Sequence, residues 1–151
     1  MLQATWLAQR PAFGLMGVHL CRAALDASVR YAKERVQFGK TIAHFQLVQG
    51  LDAEMYTLTL ASRLLAYQAL ALLDRGVVCH AEASAAKMMG TESAVKVTRL
   101  AMQLHGSMGL TVEAGLERLH RDACMLPLPE GTAQIQQLII GRELLGVRAF
   151  R

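Results

Sequence analysis

The chain has 151 residues, of which 53% are hydrophobic and only 19% are charged, and its net charge is +4. This length suits one domain of ordinary size, and the high hydrophobicity with low charge excludes an intrinsically disordered chain. The mild positive charge suits an anionic ligand such as a phosphorylated cofactor as well as it suits nucleic acid. The apolar excess on so short a chain indicates that part of its surface is buried against other chains.

The three cysteines, Cys21, Cys79 and Cys124, are odd in number and widely spaced. This pattern favours reduced thiols over a disulfide framework or a zinc site. The apolar run at residues 58–73 contains an arginine and is shorter than the roughly 18–20 residues of a membrane span. The N-terminal residues lack the basic start and the long apolar core of a signal peptide. We therefore expect a cytoplasmic protein without a membrane span.

Apolar residues recur at helical spacing through most of the chain. The first segment carries two neighbouring apolar stripes, which predict a helix packed on two sides. This helix either begins just before Pro11 or is kinked there, and it ends near residues 38–39. The second segment, from residues 41–43 to about Asp74, has leucines repeating every seven residues, as in a bundle seam. These leucines are Leu51, Leu58, Leu65 and Leu72.

The third helical segment, residues 79–104, has a stripe of unusually small residues that permits close approach of another helix. The stripe consists of Ala83, Ala86, Gly90, Ala94, Val97 and Ala101. After a glycine-bearing turn we expect a shorter helix from residues 111–112 to about Cys124. Prolines forbid a helix at 125–129, and a last helix is expected at 133–145. No segment alternates with period two, so the prediction is an all-α, antiparallel up-down four-helix bundle with one extra short helix and no sheet.

Two short stretches could serve a ligand as well as the bundle. Lys33, Arg35 and Lys40 surround a helix end beside an aromatic residue. Either these cations complement the dipole of that helix end, or they bind a phosphate or nucleotide beside the aromatic ring. The glycines within residues 103–110 either make a plain helix–helix turn or let the backbone approach a ligand closely.

A third stretch places a carboxylate on a short loop ahead of the last helix. Glu130 follows the proline-containing segment 127–129. It is either an acidic residue favoured by the dipole of a helix N-terminus or a general base in an apolar setting that tunes its pKa. The histidines form none of the usual metal-binding pairs, so no metal site is expected.

Taken together, the three stretches carry a family resemblance. Their motifs are YAKERVQFGKTIAHFQ (31–46), QLHGSMGL (103–110) and RLHRDACMLPLPEGTAQIQ (118–136). In this order and spacing they resemble the C-terminal helical domain of the acyl-CoA dehydrogenase flavoproteins, over about residues 10–146. The resemblance identifies the whole chain, 1–151, as such a bundle domain without the N-terminal helical and middle β-domains that the family's enzymes also need. It implies either a domain excised from a longer chain or a half-protein that works with a partner.

The resemblance implies FAD as the cofactor, shared with the missing domains or with a neighbouring subunit. In the family, the residue matching Arg35 reaches the FAD pyrophosphate across a subunit interface. The residue matching Gln103, with the turn that follows it, touches the ADP half. The FAD-binding residues that the resemblance implies are Arg35, Phe38, Gln46, Gln103, Gly106, Ser107, Thr132 and Gln134.

The resemblance also implies a catalytic role for Glu130, which matches the family's base. That base removes the α-proton of an acyl-CoA while a hydride leaves the β-carbon for the flavin. Some members carry the base on the first helix, but the matching position here is Gln9, which cannot accept the proton. Arg10 and Gly131 match residues that support the active-site loop. Ser107 replaces the usual second glycine of the turn, which predicts a looser backbone approach to the cofactor.

Two hypotheses for the function follow, one an enzyme domain and the other a non-catalytic module. The first is the C-terminal domain of a flavin-dependent acyl-CoA dehydrogenase of fatty acid metabolism, which supplies FAD contacts and an oligomer interface, with the isolated chain inactive. The second is a non-catalytic assembly module that pairs with a separate flavin-binding chain. The expected partners are acyl-CoA in the complete enzyme and further copies of the chain as a dimer or tetramer. Nucleic acid is not expected, because no helix carries a recognition stripe of Arg and Lys.

Overall fold

The computed structural model describes residues 2–149. Its elements are α1 (Leu2–Glu34), β1 (Val36–Gln37), β2 (Lys40–Thr41), α2 (Gln46–Asp74), α3 (His80–His105), α4 (Leu116–Met125) and α5 (Ala133–Leu145). Short 3-10 turns at Ile42–His44 and Gly106–Leu110 connect them. At a rise of about 1.5 Å per residue, the three long helices are about 50, 43 and 39 Å long. The predicted all-α bundle is confirmed.

Helix α3 lies at the centre and packs against each of the other four helices. Its predicted small-residue stripe is buried along its whole length. Where α1 crosses α3, the two backbones touch, since a Cβ added to Gly14 would lie 2.5 Å from the carbonyl oxygen of Ala86. A Cβ added to Gly90 would likewise overlap the backbone of Gly14. Small side chains therefore decide how closely these two helices approach.

Helix α1 runs through Pro11 without a break. Proline has no N–H and removes one backbone hydrogen bond from the helix. The helix continues because its following residues bury a face against α2 and α3. That face includes Cys21, Ala24 and Leu25.

The leucines predicted to form the buried seam of α2 do not occupy its most buried positions. The seam leucines are only half-buried, and the most buried positions of α2 are Met55, Thr59, Ser62, Ala66 and Ala69. Ala66 and Ala69 are fully buried and pack with Ala86 of α3. Small residues occupy the contact because the helices approach closely, and the leucines fill the flanks.

A two-stranded antiparallel hairpin follows α1, so the prediction of no sheet is wrong. Val36 pairs with Thr41, and Gln37 pairs with Lys40. The first helix ends at Glu34, and the glycine expected to stop it instead occupies the hairpin turn. Strands of two residues are too short to produce a period-two pattern, which explains why the sequence did not indicate them.

Helix α4 begins later than predicted, at Leu116. The Thr111 hydroxyl donates to the carbonyl of Met108 at 3.0 Å and closes the preceding 3-10 turn. Gly115 then takes a left-handed φ of 68°, which separates that turn from the helix. Helix α5 occupies its predicted bounds and ends at Gly146, whose φ is 70°, as expected for a glycine C-cap. Within residues 2–149, no helix has the length and apolar character needed to cross a bilayer.

Candidate functional site

A cleft of about 620 Å³ lies between the end of α1 with its hairpin and the end of α3 with its turn. Two of the three sequence motifs therefore meet in space. The predicted site residues that line it are Arg35, Gln103, Gly106 and Ser107. The cleft combines a cation, an amide and a glycine-bearing backbone turn, which is a donor set suited to a phosphate-bearing ligand.

Arg35 stands where α1 passes into the hairpin, and its backbone is held from both sides. Its N–H donates to the carbonyl of Tyr31 at 2.8 Å, and its own carbonyl accepts from the N–H of Ile42 at 2.8 Å. Its side chain is exposed. An anchored backbone with an exposed guanidinium is a suitable arrangement for a bidentate contact to phosphate.

The turn after α3 begins with Gly106, whose φ of 63° is a conformation that favours glycine. The next residue, Ser107, is exposed and has no positive φ. A serine therefore fits this position without backbone strain. The looser backbone approach to a cofactor that the sequence predicted at Ser107 stays a prediction.

His105 forms the buried wall of the cleft, a role that sequence reasoning missed. Its Nδ1 donates to the carbonyl of Ala101 at 2.8 Å, and its ring stacks on Tyr31 with centroids 4.2 Å apart. Burial lowers the pKa of this imidazole, the hydrogen bond to the carbonyl of Ala101 offsets part of that effect, and the charge of Arg30 lowers the pKa slightly further. The ring is therefore neutral at pH 7, and its unprotonated Nε2 is a hydrogen-bond acceptor. A histidine directly before a helix-ending glycine was the available signal.

The tip of the hairpin presents an exposed aromatic ring. Phe38 has a left-handed φ of 53° and is 90% exposed, which is unusual for a bulky residue. The ring of Phe38 lies edge-on to Phe45 at 6.1 Å, and the Nζ of Lys40 lies 4.6 Å from the centroid of Phe45. Neither Phe38 nor Gln46 lines the cleft. The predicted roles of these two residues at a cofactor therefore stay predictions.

Glu130 lies on the loop between α4 and α5, and its backbone is strained. Its φ is 57°, and Gly131 follows with a φ of 92°. The carboxylate oxygen Oε2 is buried and has no hydrogen-bond partner within residues 2–149. A non-glycine residue persists in this conformation only when its surroundings hold it there.

Two buried cations accompany this loop. Arg10 of α1 is only 8% exposed, and its Nε has no partner among the described residues. Lys87 of α3 is fully buried. Burial lowers the pKa of both groups, and the negative charge of Glu130 opposes part of that effect in each. The predicted loop-support residue Arg10 is thus close enough to Glu130 for their charges to interact.

Lys87 and Gln136 donate side-chain hydrogen bonds to carbonyls of this loop, and sequence reasoning missed both residues. The Nζ of Lys87 donates to the carbonyls of Pro127 at 2.6 Å and Gly131 at 2.8 Å. The Nε2 of Gln136 donates to the carbonyls of Glu130 at 3.0 Å and Gly131 at 2.9 Å. One signal was available, because Lys87 is a charged residue on the small, buried face of α3.

Thr132 and Gln134 lie apart from the cleft. Thr132 precedes α5 and is half-buried, and Gln134 is exposed on the first turn of that helix. The two candidate regions lie near opposite ends of α3, since Lys87 and Gln103 are about 24 Å apart at about 1.5 Å per residue. The cleft and the Glu130 loop of one chain therefore do not form one pocket. In the described part of the chain, no cluster of three or more His, Cys, Asp or Glu residues could hold a metal ion.

Comparisons with known proteins agree with the sequence motifs. Residues 2–145 match the family model described as the acyl-CoA dehydrogenase C-terminal domain. The chain is 44% identical over 127 residues to an acyl-CoA dehydrogenase of Bacillus subtilis, covering 84% of this chain and 34% of that protein. It is 40% identical over 128 residues to a subunit of the caffeyl-CoA reductase–Etf complex of Acetobacterium woodii, covering 85% and 34%.

The fold agrees as well. The structure of butyryl-CoA dehydrogenase from Megasphaera elsdenii superimposes with a TM-score of 0.92 at 32% identity, covering 94% of this chain and 37% of that one. The chain thus spans about a third of the length of the curated relatives it matches. The chain belongs to the acyl-CoA dehydrogenase family and corresponds to the C-terminal domain of that family's proteins.

Proposed function

We propose that this chain acts as the C-terminal domain of a flavin-dependent enzyme that removes two hydrogens from an acyl-CoA thioester. In this proposal Glu130 takes the α-proton, and the cleft around Arg35 holds the nucleotide part of FAD. When bound, FAD supplies the acceptor for the hydride that leaves the β-carbon. The observation that carries the proposal is the half-buried Glu130 side chain on a strained loop beside two cations, with a buried oxygen Oε2 that has no hydrogen-bond partner among the described residues.

The setting of Glu130 suits proton abstraction. The α-proton of a thioester is weakly acidic, so its base needs positioning and partial exclusion of water. Leu128 and Pro129 supply apolar surface next to Glu130, and Leu128 is exposed, free to meet a substrate. Oε2 of Glu130 makes no hydrogen bond within the described residues, so it has none to break when it accepts the proton.

The cleft suits the nucleotide part of FAD by its donors. Arg35 offers a charge-assisted contact to phosphate, Gln103 offers an amide, and the turn at Gly106 brings backbone close to a ligand. Because this cleft and the Glu130 loop lie near opposite ends of α3, a complete site needs groups from outside one copy of this chain. This separation supports FAD shared across a subunit interface or with the preceding domains.

Glu130 suits the reaction in either direction, dehydrogenation of an acyl-CoA or reduction of an enoyl-CoA. Several relatives are named as reductases, among them the caffeyl-CoA reductase subunit. For reduction of an enoyl thioester, protonated Glu130 would return the proton to the α-carbon, as microscopic reversibility requires. The residue assignments are therefore the same for a dehydrogenase and for a reductase.

Oligomer formation is the second part of the proposal. Large apolar side chains are exposed along the end of α5 and beyond it, at Leu144, Leu145 and Val147. A soluble monomer rarely leaves such a group uncovered. In the complete enzyme we assign this surface to contacts with other domains or with further copies of the chain.

The test uses the complete flavoenzyme, in which the chain is combined with the N-terminal and middle domains that the family's enzymes carry. Acyl-CoA is added anaerobically, and bleaching of the flavin is followed by stopped flow. Glu130→Gln keeps the shape of the side chain but cannot accept the proton, so bleaching should slow by about 10²–10⁴-fold while flavin content stays unchanged. Bleaching at the parent rate would show that the base lies elsewhere.

A further inference from the structure

Lys87 is a buried cation whose two side-chain hydrogen bonds within residues 2–149 both go to one loop. It lies within α3 and is fully buried, although lysine is almost never fully buried unless it is paired. The structure gives it two acceptors, the carbonyls of Pro127 and Gly131, at 2.6 and 2.8 Å. Both belong to the loop that carries Glu130, and they lie on either side of that residue.

Gln136 holds the same loop from the other side. It is fully buried in α5, and its Nε2 donates to the carbonyls of Glu130 and Gly131 at 3.0 and 2.9 Å. The Gly131 carbonyl thus accepts from Lys87 and from Gln136 together. Two helices that are distant in sequence meet at this one oxygen.

These bonds act on the torsion angles that aim the Glu130 side chain. The direction of the Glu130 carbonyl fixes ψ of that residue, and the direction of the Gly131 carbonyl fixes ψ of the next. Glu130 and Gly131 both have a positive φ, which a glutamate adopts only under external restraint. The Cα–Cβ direction of Glu130 therefore depends on donors that lie outside the loop.

We propose that Lys87 and Gln136 are positioning residues that preset the Glu130 base, by holding the carbonyls on both sides of it against the bundle core. This role rests on the proposed function of Glu130. Neither residue touches the substrate in this proposal. They act through the backbone, and their loss misplaces the carboxylate without removing it.

The first test measures flavin bleaching in the complete enzyme with Lys87→Met, which removes the donors and keeps a long apolar side chain. We expect the saturating rate to fall by about 10²-fold, as for a base displaced by about 1 Å. The half-saturating acyl-CoA concentration and the flavin content should not change. Lys96→Met is the control, because Lys96 lies on the same helix, is half-exposed and pairs with Glu54 at 2.6 Å.

A second arm separates positioning from general stability. In the Glu130→Gln background, Lys87→Met should cause no further loss, because the group through which Lys87 acts is already gone. A further loss of similar size in that background would overturn the proposal. If Glu130→Gln bleaches at the parent rate, the proposed function fails. If Glu130→Gln is slow and Lys87→Met is not, only the positioning role fails.

A third arm needs no catalysis and uses the 151-residue chain. Amide hydrogen exchange in the loop around residues 128–132 should be faster in Lys87→Met than in the parent, and unchanged in Lys96→Met. Unchanged exchange in both variants contradicts the proposal. Where Lys87→Met does not fold, Gln136→Leu replaces it in every arm. A parent-like rate for Gln136→Leu would then overturn the positioning role.

Discussion

The phenol ring of Tyr31 stacks on the imidazole of His105, with the ring planes 24° apart. This contact joins the end of α1 to the end of α3 at the wall of the cleft. It also buries His105, which is only 8% exposed. Burial is the main cause of the lowered pKa of His105, and it links the stability of the chain to pH.

The first prediction concerns that linkage. His105 has an ordinary pKa near 6.5 when the chain is unfolded and a lower pKa when it is folded. Between the two values the unfolded chain binds more protons, so the folded state loses stability as the pH falls below about 6.5. His105→Asn keeps a donor for the carbonyl of Ala101 but cannot titrate.

Urea unfolding from about pH 7.5 to about pH 5.5 should therefore show a steeper loss of stability in the parent than in His105→Asn. The difference should be at most about 1.4 kcal/mol per pH unit, the value for one proton. Parallel curves for the two proteins would mean that His105 does not control this part of the pH dependence.

The second prediction concerns the crossing of α1 and α3. A Cβ on Gly17 would overlap the carbonyl oxygen of Gly90, whereas a Cβ on Gly50 of α2 would meet nothing within 4 Å. Gly17→Ala should lower the free energy of unfolding by about 1–3 kcal/mol through overpacking. Gly50→Ala should raise it by about 0.5–1 kcal/mol, because alanine favours the helix. Equal effects in denaturant unfolding would contradict the close backbone contact.

The third prediction concerns FAD retention in the complete enzyme. Arg35→Ala should weaken FAD binding by about 10- to 100-fold, through loss of charge-assisted contacts to phosphate. The control is Arg22→Ala, because Arg22 is an exposed arginine within α1 that pairs with Asp26 at 2.8 Å. Flavin released during dialysis is measured by absorbance. Equal retention in both variants would remove Arg35 from the FAD site.

The fourth prediction concerns the isolated 151-residue chain. It should sediment as an oligomer, because association with further copies would bury its exposed apolar side chains. It should carry no stoichiometric FAD, because the cleft supplies only part of the contacts needed to offset the loss of free motion on binding. Sedimentation velocity recorded at the protein and flavin absorption bands tests both. A monomer at micromolar concentration, or flavin that sediments with the protein, would contradict the corresponding part.

Local chemistry explains which elements could be predicted. Helix α5 was predicted at its observed bounds because prolines precede it and Gly146 ends it, and both signals act on the adjacent backbone. The hairpin could not be predicted, because each strand has only two residues and its turn places Phe38 in a conformation that bulky residues avoid. The start of α4 depended on a left-handed Gly115, which composition does not reveal.

The family, the helical class and the motifs that contain Arg35, Gln103 and Glu130 could all be predicted before the fold was known, since they depend on residue types at short spacing. Which of these residues share a site became clear from the packing of the helices. It brought Arg35 to Gln103 and left Glu130 near the far end of α3. It also brought the Nζ of Lys87 within hydrogen-bond distance of two carbonyls that lie 40 and 44 residues further along the chain. These contacts depend on how closely α1, α3 and α5 pack. Helical periodicity carries no information about contacts between distant segments.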